Sequence, residues 1–245
     1  MKYKLILQAP LTHIDTIKRF KFLIDSLDIK KNESILSIGV GSGFETYICS
    51  YYSNSSIGID ISEKQIKLLK DSIHLENVNF YCVDATKLPP KNFVNTFDKC
   101  ICMDVIEHVE NPEKIINFAK KVLTRNGVMA ITFPINIDHG LNRFSYGGVN
   151  ELLKKSKLEY QIKVVNERKI SLLTTFLCNF FQRIIYPPKE ANIFDELTCY
   201  KLLNNPKKIH YLFKIGIATL FKICSNSYKI DKNGKRVFII AKKNQ

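Results

Sequence analysis

The chain has 245 residues, of which 45% are hydrophobic, and its formal net charge at pH 7 is +14. This length and apolar content argue against a disordered chain and suit one large domain, or a domain with an elaborated tail, with a sizeable core. The positive charge can indicate nucleic acid or an anionic membrane as a partner. The lysines are scattered, however, which is typical of composition bias. The seven cysteines follow no secretory signal, so we expect reduced thiols in a cytoplasmic protein.

Strand and helix patterns alternate over the first 135 residues. This alternation predicts an α/β fold with a doubly wound, mostly parallel sheet and helices on both faces. The predicted strands are Ser34–Gly39, Ser56–Asp60, Val78–Val83, Lys99–Met103, Val128–Phe133, Tyr160–Val165 and Arg236–Ala241. No apolar run reaches the roughly 20 residues that a membrane-spanning helix needs.

Several helix ends carry recognisable signals. The first helix is predicted from about Thr12 to Leu27, where the apolar residues form one stripe. Ser62 is expected to cap the N-terminus of a later helix, with Gln65 completing a capping box. Another helix is expected to begin at Asn111-Pro112 and to end at Asn126-Gly127.

The segment between Ser171 and Ser227 is helical in pattern and strongly apolar. We therefore divide the chain into a core at 1–170, a helical insertion or cap at 171–228, and the last core strand within 229–245. Three interpretations of the aromatic residues in the insertion stay open: the core of a helical subdomain, an apolar acceptor pocket, or peripheral membrane contact through 171–225.

Three glycines, Gly39, Gly41 and Gly43, follow the first strand and open a helix. Such a loop turns tightly and lets the backbone approach a ligand, although its spacing differs from the dinucleotide fingerprint. Asp60 and Asp84 end the next two strands. The Asp60 carboxylate can accept hydrogen bonds from both hydroxyls of a ribose. The Asp84 carboxylate can accept a hydrogen bond from an adenine amino group.

Four motifs resemble those of class I S-adenosylmethionine (SAM) dependent methyltransferases: ILSIGVGSG, IGIDIS, VDATKLP and FDKCICMDVIEHVENPEKIINFAKKVLTRNGVMAITFPI. The last is similar to the small-molecule branch that includes ubiquinone and menaquinone methyltransferases. The resemblance implies a Rossmann-like, seven-stranded sheet whose last strand is antiparallel, with SAM as cofactor. It implies cofactor contacts from Gly39, Gly41, Gly43, Asp60, Ile61, Asp84, Ala85 and Met103. It also implies that the insertion covers the active-site mouth or mediates a homodimer.

One position departs from this family. Two residues before the first glycine the family carries Asp or Glu, which helps to position the methionine ammonium, and this chain carries Ser37. The resemblance therefore implies weaker cofactor binding, or a transfer of this role to Asp104. A methyltransferase fold without catalytic activity is the corresponding alternative.

Candidate catalytic residues follow the fourth and fifth strands. His108 lies in a D-x-x-E-H cluster with Asp104 and Glu107. We consider three roles for it: a general base, a residue that shapes the cofactor pocket, or a ligand of Mg²⁺, the last being disfavoured. After the fifth strand, His139 is a second candidate base and Arg143 can pair with an acidic substrate group. The alternative there is a surface turn.

We expect methylation of a small-molecule acceptor, lipidic or glycan-linked. An RNA methyltransferase is the main enzymatic alternative, given the charge. Adenine-amino methylases carry an Asn/Asp-Pro-Pro-aromatic motif after the fourth strand, and Met103–Ile106 lacks it, so nucleic acid is not the favoured partner. A non-catalytic SAM-binding or regulatory protein is the other alternative.

Overall fold

The computed structural model describes residues 14–41, 43–135, 140–167, 228–230 and 234–243. The strands in chain order are β1 Ser34–Ile38, β2 Ser55–Asp60, β3 Val78–Cys82, β4 Phe97–Met103, β5 Leu123–Pro134, β6 Glu159–Glu167, β7 Tyr228–Ile230 and β8 Arg236–Lys242. The α-helices are α1 Ile14–Leu27, α2 Phe44–Cys49, α3 Glu63–Ser72, α4 Pro112–Val122 and α5 Tyr146–Ser156. Short 3₁₀ turns cover Lys91–Phe93 and Ile106–His108.

The strands of the described residues form one sheet in the order β3-β2-β1-β4-β5-β8-β6-β7. Strands β1 to β5 pair in parallel, and β8 lies antiparallel between β5 and β6. The predicted doubly wound, mostly parallel fold is therefore confirmed, and its last predicted strand is antiparallel as expected. The three-residue β7 is an addition to the seven predicted strands and pairs antiparallel with β6.

Helices cover both faces of the sheet, which is why its central strands are almost uninterrupted apolar runs. On one face α1, α2 and α3 bury side chains that include Phe20, Phe44 and Leu69. On the other face α4 and α5 bury side chains that include Phe118 and Leu153. The glycine loop follows β1 at the carboxyl ends of the parallel strands.

The predicted end of helix α4 is wrong. Helix α4 ends at Val122 and not at Asn126-Gly127, because Leu123 is fully buried and already pairs with Phe97 of β4. Asn126 instead adopts a left-handed conformation with φ 67°, so Asn126-Gly127 forms a turn within the β5 segment.

The predicted capping box is only half formed. Ser62 Oγ accepts the backbone N–H of Gln65 at 3.2 Å, as a helix cap should. The Gln65 side chain does not return to Ser62, because the backbone N–H of Ser62 donates to Asp60 Oδ1 at 2.9 Å. Gln65 bonds to the glycine loop instead.

The predicted helical insertion at 171–228 lies outside the described residues, apart from residue 228. None of the helices in the described part of the chain combines the length and the apolar character needed to cross a membrane. Four cysteines in the same part, Cys49, Cys82, Cys100 and Cys102, form no disulfide.

The packing of α4 against the sheet can be tested through protein stability. Phe118 is 1% exposed, whereas its neighbour Asn117 is exposed. We expect Phe118→Ala to lower the free energy of unfolding by about 3–5 kcal/mol, because it leaves a cavity between α4 and the sheet. Urea denaturation followed by circular dichroism measures the change, and Asn117→Ala is the matched control. A loss below about 1 kcal/mol for Phe118→Ala would contradict this packing.

Candidate cofactor-binding site

The loop after β1 is tied to the end of β2. The backbone N–H groups of Gly39 and Val40 both donate to the carbonyl of Ile59, at 2.8 and 3.1 Å. Gly39, Gly41 and Gly43 have φ values of 71°, 46° and 76°, which side chains rarely tolerate. The glycines are therefore required by the backbone path itself.

Asp60 and Gln65 fix the middle of this loop. Asp60 Oδ2 accepts the N–H of Gly41 at 3.3 Å, and the Gln65 side-chain amide donates to the Gly41 carbonyl. A Cβ built on Gly41 would meet no described heavy atom within 4 Å beyond its chain neighbours. The loop is thus fixed by hydrogen bonds to Asp60 and Gln65. It leaves open space next to Gly41, where a ligand can approach the backbone.

The start of the loop packs directly on the turn after β4. A Cβ on Gly39 would lie 2.3 Å from Cγ2 of Val105, so only glycine allows this contact. Strand order reverses between β1 and β4, and sheets of this kind bind ligands in the crevice at such a point. The contact therefore joins the two segments that line the crevice.

The remaining predicted cofactor residues flank this crevice. Ile61 follows Asp60 and is 71% exposed, which is unusual for so large an apolar side chain. Asp84 Oδ1 accepts the backbone N–H and the hydroxyl of Thr86, and the hydroxyl bond is the main reason that its pKa is lowered. Ala85 and Met103 are each 9% exposed. The backbone N–H of Val83 donates to the Asp60 carbonyl at 3.0 Å, which places the ends of β2 and β3 side by side.

Asp104 is held by two arginines. Its Oδ2 lies 3.3 Å from Arg19 Nε of α1, and its Oδ1 accepts a hydrogen bond from Arg236 Nη1 of β8. Its backbone has φ 52°, and its N–H donates to the Thr132 carbonyl. Both carboxylate oxygens of Asp104 therefore lie next to a guanidinium group, with a hydrogen bond from Arg236 and an ion pair with Arg19, so much of its negative charge is balanced within the protein.

Glu107 differs sharply from Asp104. It is completely buried, and neither of its side-chain oxygens makes a hydrogen bond. Burial raises the pKa of Glu107 to about 7. The negative charge of Asp104 adds to this shift, whereas the positive charges of Arg236 and Arg19 oppose it. A buried carboxyl without a donor is costly, so it is a position where a ligand cation is expected.

A second carboxyl, Glu45 in the first turn of α2, interacts electrostatically with Asp104 and Arg19, as Glu107 does. Burial raises the pKa of Glu45 to about 7, with Asp104 adding to the shift and Arg19 opposing it. Five ionisable side chains from α1, α2, the turn after β4 and β8 thus interact at this end of the sheet. We call them the charged cluster: Arg19, Glu45, Asp104, Glu107 and Arg236.

Three buried hydroxyls in the described residues also lack hydrogen-bond partners: Ser37 Oγ, Thr46 Oγ1 and Thr132 Oγ1. Ser37 is 2% exposed, and strand alternation places it on the sheet face that α1, α2 and α3 cover. Ser37 is therefore a neutral, buried group and supplies no negative charge at the position where the resembling family has one.

His108 is exposed on the turn Ile106–His108, with Nε2 4.0 Å from Glu107 Oε1. The loop after β5 packs on this turn, because the N–H groups of Leu141 and Asn142 donate to the Glu107 carbonyl at 2.7 and 2.9 Å. His139 and Asp138 lie outside the described residues, and Arg143 is exposed. No three His, Cys, Asp or Glu side chains in the described residues are grouped so that they can hold a metal ion.

Sequence reasoning missed three residues of this site. Gln65 was assigned to helix capping, although its amide fastens the glycine loop. Arg19 lies on a helix predicted only for its apolar stripe, and Arg236 begins a strand predicted only for its β-rich pattern. Arg236 is 132 positions from Asp104 in the chain, so no local pattern links the two.

The sheet order, the antiparallel β8 and the glycine loop at the reversal point define the class I methyltransferase fold. Residues 29–212 match a family model described as a methyltransferase domain. This match covers more than half of the 245 residues, so the chain belongs to that methyltransferase family.

Curated relatives match a shorter stretch. The ubiquinone biosynthesis O-methyltransferase of Coxiella burnetii is 25% identical over 117 residues, which are 47% of this chain and 49% of that protein. Phosphoethanolamine N-methyltransferase 3 of Arabidopsis thaliana is 30% identical over 122 residues, 49% of this chain and 24% of that protein. The chain thus spans half or less of the length of these relatives.

A solved structure shares the fold over most of the chain. Phosphoethanolamine N-methyltransferase 2 of Haemonchus contortus, in complex with phosphomonomethylethanolamine and S-adenosylhomocysteine, superposes with a TM-score of 0.54 at 15% identity. The superposition covers 93% of this chain and 52% of that protein. At this identity the likeness concerns the fold alone.

The two-arginine contact of Asp104 can be tested through stability. Asp104→Asn keeps a residue that tolerates the left-handed backbone but removes the charge between Arg19 and Arg236. The three side chains are 17–26% exposed, so we expect a loss of about 1–3 kcal/mol in the free energy of unfolding. Chemical denaturation measures it.

Asp28→Asn is the matched control for this variant. Asp28 also has a positive φ, 47°, and an ion pair with Lys30, but its side chain is 80% exposed. We expect this control to unfold like the wild type, because an exposed pair contributes little. An equal response of the two variants would mean that the arginines do not depend on Asp104.

Proposed function

We propose that this protein transfers a methyl group from SAM to a small-molecule acceptor. The observation that carries the proposal is the glycine loop, which is bonded to Asp60 and packed on Val105 at the point of strand reversal. Membership of a methyltransferase family supports it, as does a structural neighbour that binds S-adenosylhomocysteine.

The described residues fit the parts of this cofactor. Asp60 would accept the ribose hydroxyls, and the exposed Ile61 would cover one face of the adenine. Asp84 and Ala85 would meet the adenine edge, and Met103 would form the floor. Open space at Gly41 is what a nucleoside lying against the loop requires. When bound, the cofactor supplies an electrophilic methyl group on its sulfonium.

The acceptor side is proposed around His108. Its ring is exposed beside the loop after β5, where it can take a proton from an acceptor hydroxyl or amine. Leu141, whose N–H bonds to Glu107, is 70% exposed and offers an apolar contact at the same place. This contact favours an acceptor with an apolar, lipid-like portion over a strongly hydrophilic one.

The cofactor site is tested with Asp60→Ala. Loss of charged hydrogen bonds to the ribose, and of the support to Gly41, should weaken SAM binding about 10- to 100-fold. Calorimetric titration measures the dissociation constant. Asp71→Ala, an exposed carboxylate on α3, is the control and should bind SAM like the wild type. Unchanged SAM affinity in Asp60→Ala would contradict the assigned site.

Turnover is tested separately from binding. We expect wild-type protein, incubated with methyl-labelled SAM and a host-cell metabolite and lipid extract, to label a small molecule that mass spectrometry detects. His108→Gln should lower the rate of labelling while leaving SAM affinity unchanged, because His108 faces the acceptor. SAM binding without any labelled product would favour the non-catalytic alternative.

A further inference from the structure

We propose that Glu107 is a positioning residue that pairs with the ammonium group of the cofactor's methionine portion. This inference rests on the proposed function and assigns to Glu107 a role that neither Ser37 nor Asp104 fills. It is drawn from burial, hydrogen bonding and charge at the carboxyl ends of β1 and β4.

The carboxyl oxygens of Glu107 have no hydrogen-bond donor. Both oxygens of Glu107 are buried without a hydrogen bond, in a chain where other carboxylates of the site are bonded. Asp60 accepts two backbone N–H groups, and Asp104 is held by two guanidinium groups. Buried carboxyl oxygens retain a strong demand for donors, so Glu107 is the described carboxyl of this site whose oxygens lack hydrogen-bond donors.

Glu107 lies close in the chain to the side chain that packs on the glycine loop. Glu107 lies two residues after Val105, and Val105 is the side chain on which Gly39 packs. Glu107 also interacts electrostatically with Asp104, Arg236 and Arg19, so it belongs to the charged cluster and not to the adenine end of the crevice. A ligand that lies along the glycine loop with its ribose at Asp60 therefore directs its opposite end towards this cluster.

The two positive groups of the cofactor differ in their capacity to donate hydrogen bonds. An ammonium carries three N–H donors, whereas a sulfonium carries none. Only the ammonium can satisfy carboxyl oxygens that lack donors, and a charge-assisted bond of this kind is strong in a buried site. Arg19 of the same cluster is a cation and would suit the carboxylate of an amino acid, but not its ammonium.

Other groups of the site fit this role less well. Ser37 is neutral, and the charge of Asp104 is balanced by a hydrogen bond from Arg236 and an ion pair with Arg19. Glu45 is less buried than Glu107, and its oxygens are not among the buried atoms that lack a hydrogen-bond partner. The remaining titratable groups around Glu107 are His108 on the same turn and the buried thiol of Cys102 on β4.

The test compares two neutral-sulfur ligands that differ in the amino-acid portion. S-adenosylhomocysteine carries the ammonium and the carboxylate, whereas 5′-methylthioadenosine lacks both. We expect Glu107→Gln to weaken S-adenosylhomocysteine binding about tenfold or more and to leave 5′-methylthioadenosine binding within about twofold. Glu110→Gln, an exposed carboxylate three residues on, is the matched control and should change neither dissociation constant.

A pH series on the wild type gives a second readout, and the same series on Glu107→Gln assigns it to a residue. The free protein holds Glu107 partly protonated near neutral pH, and pairing with an ammonium requires the ionised form. S-adenosylhomocysteine affinity of the wild type should therefore rise by about tenfold from pH 6 to pH 8, and 5′-methylthioadenosine affinity should stay flat. A flatter profile in Glu107→Gln assigns the effect to Glu107 and not to Glu45 or His108.

Glu107→Gln that binds S-adenosylhomocysteine as tightly as the wild type would overturn the inference. Equal loss of affinity for both ligands would overturn it too, because it would indicate a structural role. Equal pH profiles for the two ligands would likewise exclude an ionised partner for the ammonium. Wild-type protein that binds neither ligand would instead refute the proposed function, and this inference with it.

Discussion

The contact between Gly39 and Val105 is the constraint on which the site depends. It brings the loop after β1 against the turn after β4, and a single added methyl group would overlap Val105. Several residues beside the crevice are bonded to one of these two segments or belong to it. Asp60 and Gln65 hold the loop, while Asp104 and Glu107 belong to the turn. The geometry of the crevice is therefore set by one residue without a side chain.

Charge balance at this end of the sheet is the second organising feature. Two arginines from distant elements neutralise Asp104, so its negative charge is used inside the protein. Glu45 and Glu107 keep their protons more readily than exposed carboxyls, because burial raises their pKa values. At the same end of the sheet, the oxygens of Glu107 are buried without hydrogen-bond donors.

Local patterns explain why much of the fold could be predicted. The strand that ends in Gly39 and the strand that ends in Asp60 are short apolar runs followed by a turn residue, and such signals depend on neighbours in the chain. The end of α4 was misjudged because Asn126-Gly127 is a strong local signal, whereas the pairing of Leu123 with Phe97 is a tertiary contact. Tertiary contact overrode local preference there.

The charged cluster could not be predicted for the same reason. The partners of Asp104 come from α1 and β8, and nothing in either segment marks Arg19 or Arg236 as different from other basic residues of a lysine-rich chain. The sequence showed Asp104, Glu107 and His108 as one group with a shared role. In the structure they separate into an arginine-bound carboxylate, a buried carboxyl and an exposed imidazole.

The placement of β8 has a consequence for biosynthesis. Strand β8 separates β5 from β6, although more than a hundred residues divide it from β5 in the chain. While the ribosome is still translating the intervening segment, β5 has an unpaired edge and Asp104 lacks one of its two arginines. The nascent polypeptide can thus assemble the glycine loop early, but its crevice reaches its final electrostatic state only after residue 236 has emerged from the exit tunnel.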